Sequence, residues 1–249
     1  MFVAASTECF PQLNLRDALE RLTDLEYSCV EILIREGTAQ LSPTQVTADL
    51  EQAVNICRNT HRLDVVAYNV DIAATGEQFY EQFTACCKLA KASKVVSMVI
   101  PSSELGTPFN EEVEKLRKMV GIASKEGVVL GMRSQIGRLS QDPDTVMVLC
   151  NNVPGLGVTL DPSHYIAGPT QGKRYEQLYK YTTHCHLRDS TKSQVQVRVG
   201  QGEIEYGRVI SNLQKYNYNR ALCVNIAEAE GTDQNSELRK LRLLLESLL

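Results

Sequence analysis

The chain has 249 residues, 43% hydrophobic and 22% charged, with 26 basic and 30 acidic side chains and a net charge of −4. That length suits one large domain whose core needs no disulfide or structural metal. The weak acidity excludes the concentrated positive charge on which nucleic-acid binding depends.

No apolar run reaches the roughly 18 residues of a membrane helix. The N-terminal "MFVAASTECF" lacks a basic region followed by a long apolar one. No signal peptide or membrane association is therefore expected, and the expected location is cytoplasmic. The eight cysteines (9, 29, 57, 86, 87, 150, 185 and 223) are scattered, with no CxxC. They read as reduced core residues, the adjacent Cys86 and Cys87 as helix packing.

In chain order, short apolar runs alternate with amphipathic segments. The runs are "FVAAS" (2–6), "CVEILI" (29–34), "LDVVAY" (63–68), "KVVSMVI" (94–100), "GVVLGM" (127–132), "GLGVTL" (155–160), "THCHL" (183–187) and "ALCVNI" (221–226). They lack polar alternation, as strands buried on both faces do. Between them, "NLRDALERLTDLEY" sets Leu15, Leu19, Leu22 and Leu25 on one face behind the N-cap Asn14. "SPTQVTADLEQAVNICRNT" reads as a helix opened by Ser42 and Pro43. "GEQFYEQFTACCKLAKAS", "FNEEVEKLRKMVGIASKEG" (with Gly127 as C-cap), "DPDTVMVLCNNV", "EYGRVISNLQKYN" and "NSELRKLRLLLESLL" complete the helices.

Eight strand–helix units in this length predict a single (β/α)8 TIM barrel over residues 1–249. A doubly wound open sheet is the alternative. It would usually carry a glycine-rich phosphate turn after the first strand, where residues 7–14 read "TECFPQLN". No nucleotide cofactor is expected. In a barrel, the residues that follow each strand converge on one mouth, where the chemistry is done.

Three of the four histidines fall within residues 164–186. "GVTLDPSHYIAG" (157–168) places Asp161 and His164 just past the sixth strand, and "HCHLRD" places His184 and His186 on one face of the seventh. Converging His and Asp side chains are candidate ligands for a divalent ion. His61 stands alone and reads as structural. Arg188 extends the face of His184 and His186. Glu31 reads as a hydrogen-bond acceptor inside the barrel, and "KSQVQVRV" (192–199) as a segment able to cover the site.

At these residues the chain resembles the xylose isomerase-like barrels, the sugar (phosphate) isomerases and epimerases with the endonuclease IV type of repair enzyme. "VTLDPSHY" and "HCHLRD" resemble the family's D-P-x-H and H-x-K-D segments, and "RVGQGEIEYGRVISNL" its G-x-G-E-I-D segment. "LRDALERLTDLEYSCVEI" resembles its first helix and Glu-bearing second strand. The resemblance implies a divalent ion, such as Mn, Zn, Mg or Co, held by Glu, Asp, His and Glu from strands five to eight. Asp161 and His186 match the Asp and His. Arg133 stands at the first Glu position, Gln135 at a neighbouring His position, and Asn225 at the second Glu position.

Arg has no lone pair to offer, and Asn has no proton to exchange at neutral pH. A guanidinium ~4 Å from a divalent ion repels it by on the order of 8 kcal/mol at an effective dielectric near 20. Weak or absent metal binding is therefore expected.

Arg133 would then sit beside Asp161 in place of the ion, gripping a carboxylate or phosphate or stabilising an enolate, with His164 or His186 as base. The catalytic candidates are His164, Arg133 and Asn225. Arg198, which matches a family residue that reaches the substrate, joins His184, Gln135 and Glu8 as binding candidates.

The expected function is an isomerase/epimerase-like barrel that acts on or binds a small polyol, sugar or hydroxy acid. The reading allows a homodimer. One alternative is a non-catalytic barrel that binds a ligand or a protein. Another is a metal enzyme completed by Glu8, Asp189 or Glu228. A repair endonuclease ranks last.

Overall fold

The computed structural model describes residues 1–249. Eight parallel strands close in sequence order: β1 (Phe2–Ser6), β2 (Cys29–Arg35), β3 (Asp64–Asp71), β4 (Ser97–Ile100), β5 (Val129–Arg133), β6 (Leu156–Leu160), β7 (Thr182–Leu187) and β8 (Ala221–Val224). β8 pairs back onto β1, with Phe2 opposite Ala221 and Ala5 opposite Val224. Closure excludes the open doubly wound sheet and leaves no unpaired edge. Every apolar run read from the sequence supplies one strand.

The helices are α1 (Leu15–Asp24), α2 (Pro43–Ala48), α3 (Leu50–Arg58), α4 (Gly76–Ala92), α5 (Phe109–Lys125), α6 (Pro143–Asn152), α7 (Ser163–Ile166), α8 (Tyr206–Lys215) and α9 (Gln234–Glu246). Asn14 caps α1 by accepting from the Asp17 amide. Ser42 and Gln45 close a reciprocal capping box on α2. The sequence read 42–60 as one helix, but it breaks at Asp49. The Asp49 side chain accepts from the Gln52 amide and starts α3, winning over helix continuation. Gly127, at φ +72°, takes the left-handed turn after α5.

The main core lies between strands and helices: Leu19, Leu22, Ile32, Ile34, Phe83, Leu116 and Leu241 are all buried there. Cys86 and Cys87 are buried in α4, in line with a packing role. All eight cysteines are free. No helix is long and apolar enough to cross a membrane.

The space inside the strands is different. It is polar, lined by Ser6, Glu31, Asn69, Thr159, His184 and His186, all buried.

Candidate functional site

Two layers of polar side chains stack inside the barrel. The upper layer lies at the C-terminal ends of the strands. Glu8, on the short turn after β1, is its hub. Its Oε1 accepts from Arg35 Nη1 at 2.8 Å, and its Oε2 from Asn69 Nδ2 at 3.0 Å and Asn225 Nδ2 at 3.1 Å. Arg133 Nη1 stands 3.7 Å from the same Oε2. Burial alone would raise the Glu8 carboxyl. Arg133, Asn225 and Arg35 outweigh it, and the pKa lies below its ordinary value.

Arg133 ends β5 and is almost fully buried. Its guanidinium donates to Gln135 Oε1 at 2.9 and 3.2 Å and lies 3.9 Å from Asp71 Oδ2. The place beside Asp161, expected for Arg133, belongs to Arg188, whose Nη2 is 2.9 Å from Asp161 Oδ2. Strand order does not decide this, because β5 and β7 both flank β6; the Arg133 guanidinium is instead turned to Gln135, Glu8 and Asp71, which leaves Asp161 to Arg188. Asp161 Oδ1 accepts from the Ser163 amide and hydroxyl. Burial would raise the Asp161 carboxyl, but Arg188, His164 and Ser163 hold it below the usual range.

His164 does not present the free nitrogen that a base needs. Its Nδ1 accepts from the Ile136 amide at 3.3 Å, which puts the ring proton on Nε2, 3.7 Å from Asp161 Oδ2. Burial pushes its pKa down to about 4, so the ring is neutral at physiological pH.

The lower layer crosses the barrel. His186 Nε2 lies 2.8 Å from Glu31 Oε2, although β1 and β8 separate their strands, so the contact runs through the interior. His184 Nε2 approaches the same oxygen at 2.9 Å. Cys223 completes the group: one ligand-type atom from each of Glu31, His184, His186 and Cys223 lies within 4.8 Å of all the others. His186 Nδ1 faces Asn225 Nδ2 at 3.4 Å, the link between the layers. His186 is fully buried, so it is not placed to serve as a base toward a ligand in the mouth.

A family profile described as xylose isomerase-like TIM barrel matches residues 19–246. The chain belongs to this family. Among solved structures, the fold is similar to that of a D-tagatose 3-epimerase-like protein (16% identity, 99% of each chain, TM-score 0.73). It is also similar to 3-keto-D-glucoside 4-epimerase from E. coli (12% identity, 99% of each chain, TM-score 0.74). A third is a xylose isomerase-like barrel from Mycobacterium smegmatis in complex with magnesium (12% identity, 99% of this chain and 95% of the other, TM-score 0.79). No curated protein matches the sequence.

The family's divalent ion does not fit the residues at this mouth. Arg133 and Asn225 stand where the resemblance puts carboxylates, Arg188 is seated on Asp161, and His186 Nε2 is turned down to Glu31. Of the three carboxylates expected as substitutes, Glu8 lies at the mouth but is held by Arg35, Asn69 and Asn225, and the other two are elsewhere. Asp189 is spent on the backbone, accepting from Ser190, Gly200 and Gly202 amides, and Glu228 is exposed.

Arg198 is exposed and donates to Gly231 O, joining two loops instead of entering the polar cluster. The 192–199 segment is tied by Val197 N to Asp189 O and by Val199 N to Glu237 Oε2.

Sequence reasoning missed Arg35, Asn69 and Asp71 as mouth residues, while Cys223 is buried as expected. The available signal was parity: Arg35 and Asp71 each close an apolar strand at the same end as Arg133.

Proposed function

We propose that the mouth of this barrel binds a neutral sugar or polyol without a divalent ion. One observation carries the reading: three carboxylates (Glu8, Asp71, Asp161) face three guanidiniums (Arg35, Arg133, Arg188) at 2.8–3.9 Å. The mouth is charge-balanced and its guanidiniums are engaged. An anionic ligand would have to strip an Arg from a carboxylate. A hydroxyl both donates and accepts, so a chain of hydroxyls can add to such pairs without separating them. A cavity of about 500 Å³ opens beside Asp71, lined also by Ile72, Phe79, Ile100, Ser103 and Arg138, within the size range of small-molecule sites.

Calorimetry with free ketoses and polyols, sugar phosphates and hydroxy acids tests this. Neutral compounds should bind, and Glu8→Ala should weaken them about tenfold or more, a loss of about 1.4 kcal/mol. Binding confined to phosphorylated or carboxylated compounds refutes it, as does no binding at all.

A second reading, metal-independent epimerisation or isomerisation, has Glu8 and Arg133 behind it: a carboxylate to take a proton and a guanidinium 3.7 Å away to stabilise the enolate. The lowered Glu8 pKa makes it a weak base, which ranks turnover below binding. Deuterium uptake from D2O into a bound sugar, lost in Glu8→Gln, would reverse that order.

A further inference from the structure

The lower layer has the composition of a metal centre of its own, set beneath the mouth. We propose that Glu31, His184, His186 and Cys223 bind a Zn²⁺-class ion inside the barrel, in a closed four-coordinate site distinct from the family's position at the strand ends. Only His186 is common to both positions.

Three observations support it. The donor atoms of the four side chains lie within 4.8 Å of one another, close enough for small side-chain shifts to bring all four onto one ion. All four residues are at most 2% exposed, so no water completes the shell, as in structural rather than catalytic zinc sites. Hydrogen bonding also leaves the cluster incompletely satisfied. Glu31 Oε1 is fully buried with no hydrogen-bond partner, and His184 Nε2, although 2.9 Å from Glu31 Oε2, makes no aligned hydrogen bond. A buried carboxylate oxygen without a partner is costly unless something binds it.

The donor set selects the ion. Two imidazoles, a thiolate and a carboxylate suit Zn²⁺ or Co²⁺, whereas Mg²⁺ and Ca²⁺ take oxygen shells. Charge closes as well. Cys223 releases its proton to solvent on binding, and thiolate plus carboxylate balance a divalent ion with both rings neutral. The cluster needs modest adjustment, its closest pairs moving apart and its widest drawing in. Tetrahedral bonds of about 2.0–2.1 Å place neighbouring N and O ligands roughly 3.3 Å apart, against 2.8 and 2.9 Å here.

Ligation through His186 Nε2 moves that ring's proton to Nδ1, facing the Asn225 amide at 3.4 Å. The amide turned over accepts it, which orients the ring as outer partners of metal-bound His do. That turn gives up the Asn225 bond to Glu8, whose carboxylate keeps Arg35 and Asn69.

The test uses the full chain produced in medium supplemented with Zn²⁺ or with Co²⁺, purified without chelator. Elemental analysis should give close to one ion per chain. The Co²⁺ form should show a thiolate-to-cobalt charge-transfer band in the near ultraviolet, lost in Cys223→Ser and kept in Asp161→Asn. The wild-type band reads thiolate ligation without any variant, so a Cys223→Ser protein that fails to fold does not leave the matter open. A substoichiometric trace of metal overturns the proposal, as does Co²⁺ bound without the band. So does metal lost in Asp161→Asn but kept in Cys223→Ser, which would place the ion at the mouth. Sugar binding is read separately by calorimetry, so either proposal can fail alone.

Discussion

Replacing Arg188 by Met tests whether the pair at the mouth is an electrostatic unit. Asp161 is 1% exposed and its Oδ2 lies 2.9 Å from the guanidinium, so the substitution leaves a buried carboxylate facing a thioether. At that separation and an effective dielectric near 20, the direct attraction is about 6 kcal/mol. Desolvation offsets part of it, and breaking one side of a buried pair typically costs about 3–5 kcal/mol. Asp161 keeps the Ser163 amide and hydroxyl, which sets the expectation at the lower end, about 3 kcal/mol. For a chain of this size that is a fall in melting temperature of about 6–12 °C.

Urea denaturation of wild type, Arg188→Met, Asp161→Asn and the double variant closes a cycle. Asp161→Asn should cost about 1–2 kcal/mol, because the freed guanidinium, 14% exposed, can reach water. The coupling between the two sites should be about 2 kcal/mol. A coupling below about 0.5 kcal/mol would mean that the two groups share space without sharing energy, and the charge-balanced mouth would lose its foundation.

Gly202→Ala should destabilise by about 2–3 kcal/mol in the same denaturation. A Cβ there falls 1.9 Å from Asp189 Oδ1 and 2.7 Å from the Ser190 amide nitrogen, on the clamp that holds the loop after β7. His164 contributes a pH dependence of known sign. Its folded pKa of about 4 lies below the ordinary 6.5, so its stabilisation is present above about 6.5 and lost as pH falls through about 4. The span is worth about 3 kcal/mol. His164→Asn should flatten the stability profile by that amount between about pH 7 and pH 4, and an unchanged slope would contradict the burial argument. His164 ring resonances followed by NMR should stay those of the neutral form down to about pH 5.

The frame of this protein was legible because it rests on local signals. Eight short apolar runs became eight strands, and Asn14, Ser42 and Gly127 marked helix ends by their own hydrogen-bonding and backbone chemistry. The break at Asp49 was hidden because a capping Asp and a solvent-facing Asp look alike within an amphipathic pattern. At the site, the strand-end position of Arg133 followed from the family resemblance, and the shared face of His184 and His186 from strand parity. Which guanidinium reaches Asp161 did not. Arg133 and Arg188 both leave strands that flank β6, and only side-chain packing separates them. The contact between Glu31 and His186 spans 155 positions of sequence and two intervening strands, so no spacing rule announces it.

The seating of Arg188 on Asp161 bears on whether an ion can be installed at this mouth. Placing Glu at positions 133 and 225 replaces one positive and one neutral group with two negative ones, yet the Asp that would share an ion with them stays claimed by Arg188, which follows β7. A working ion site needs at least a third change, at Arg188. Along the way lie proteins with carboxylates crowded together and nothing to bind them, or with Asp161 buried and alone. Each single step is uphill before the last one is rewarded. An ion at this mouth therefore has to be built as a set of changes, and the shape and hydrogen bonding of the pocket are easier to alter one residue at a time.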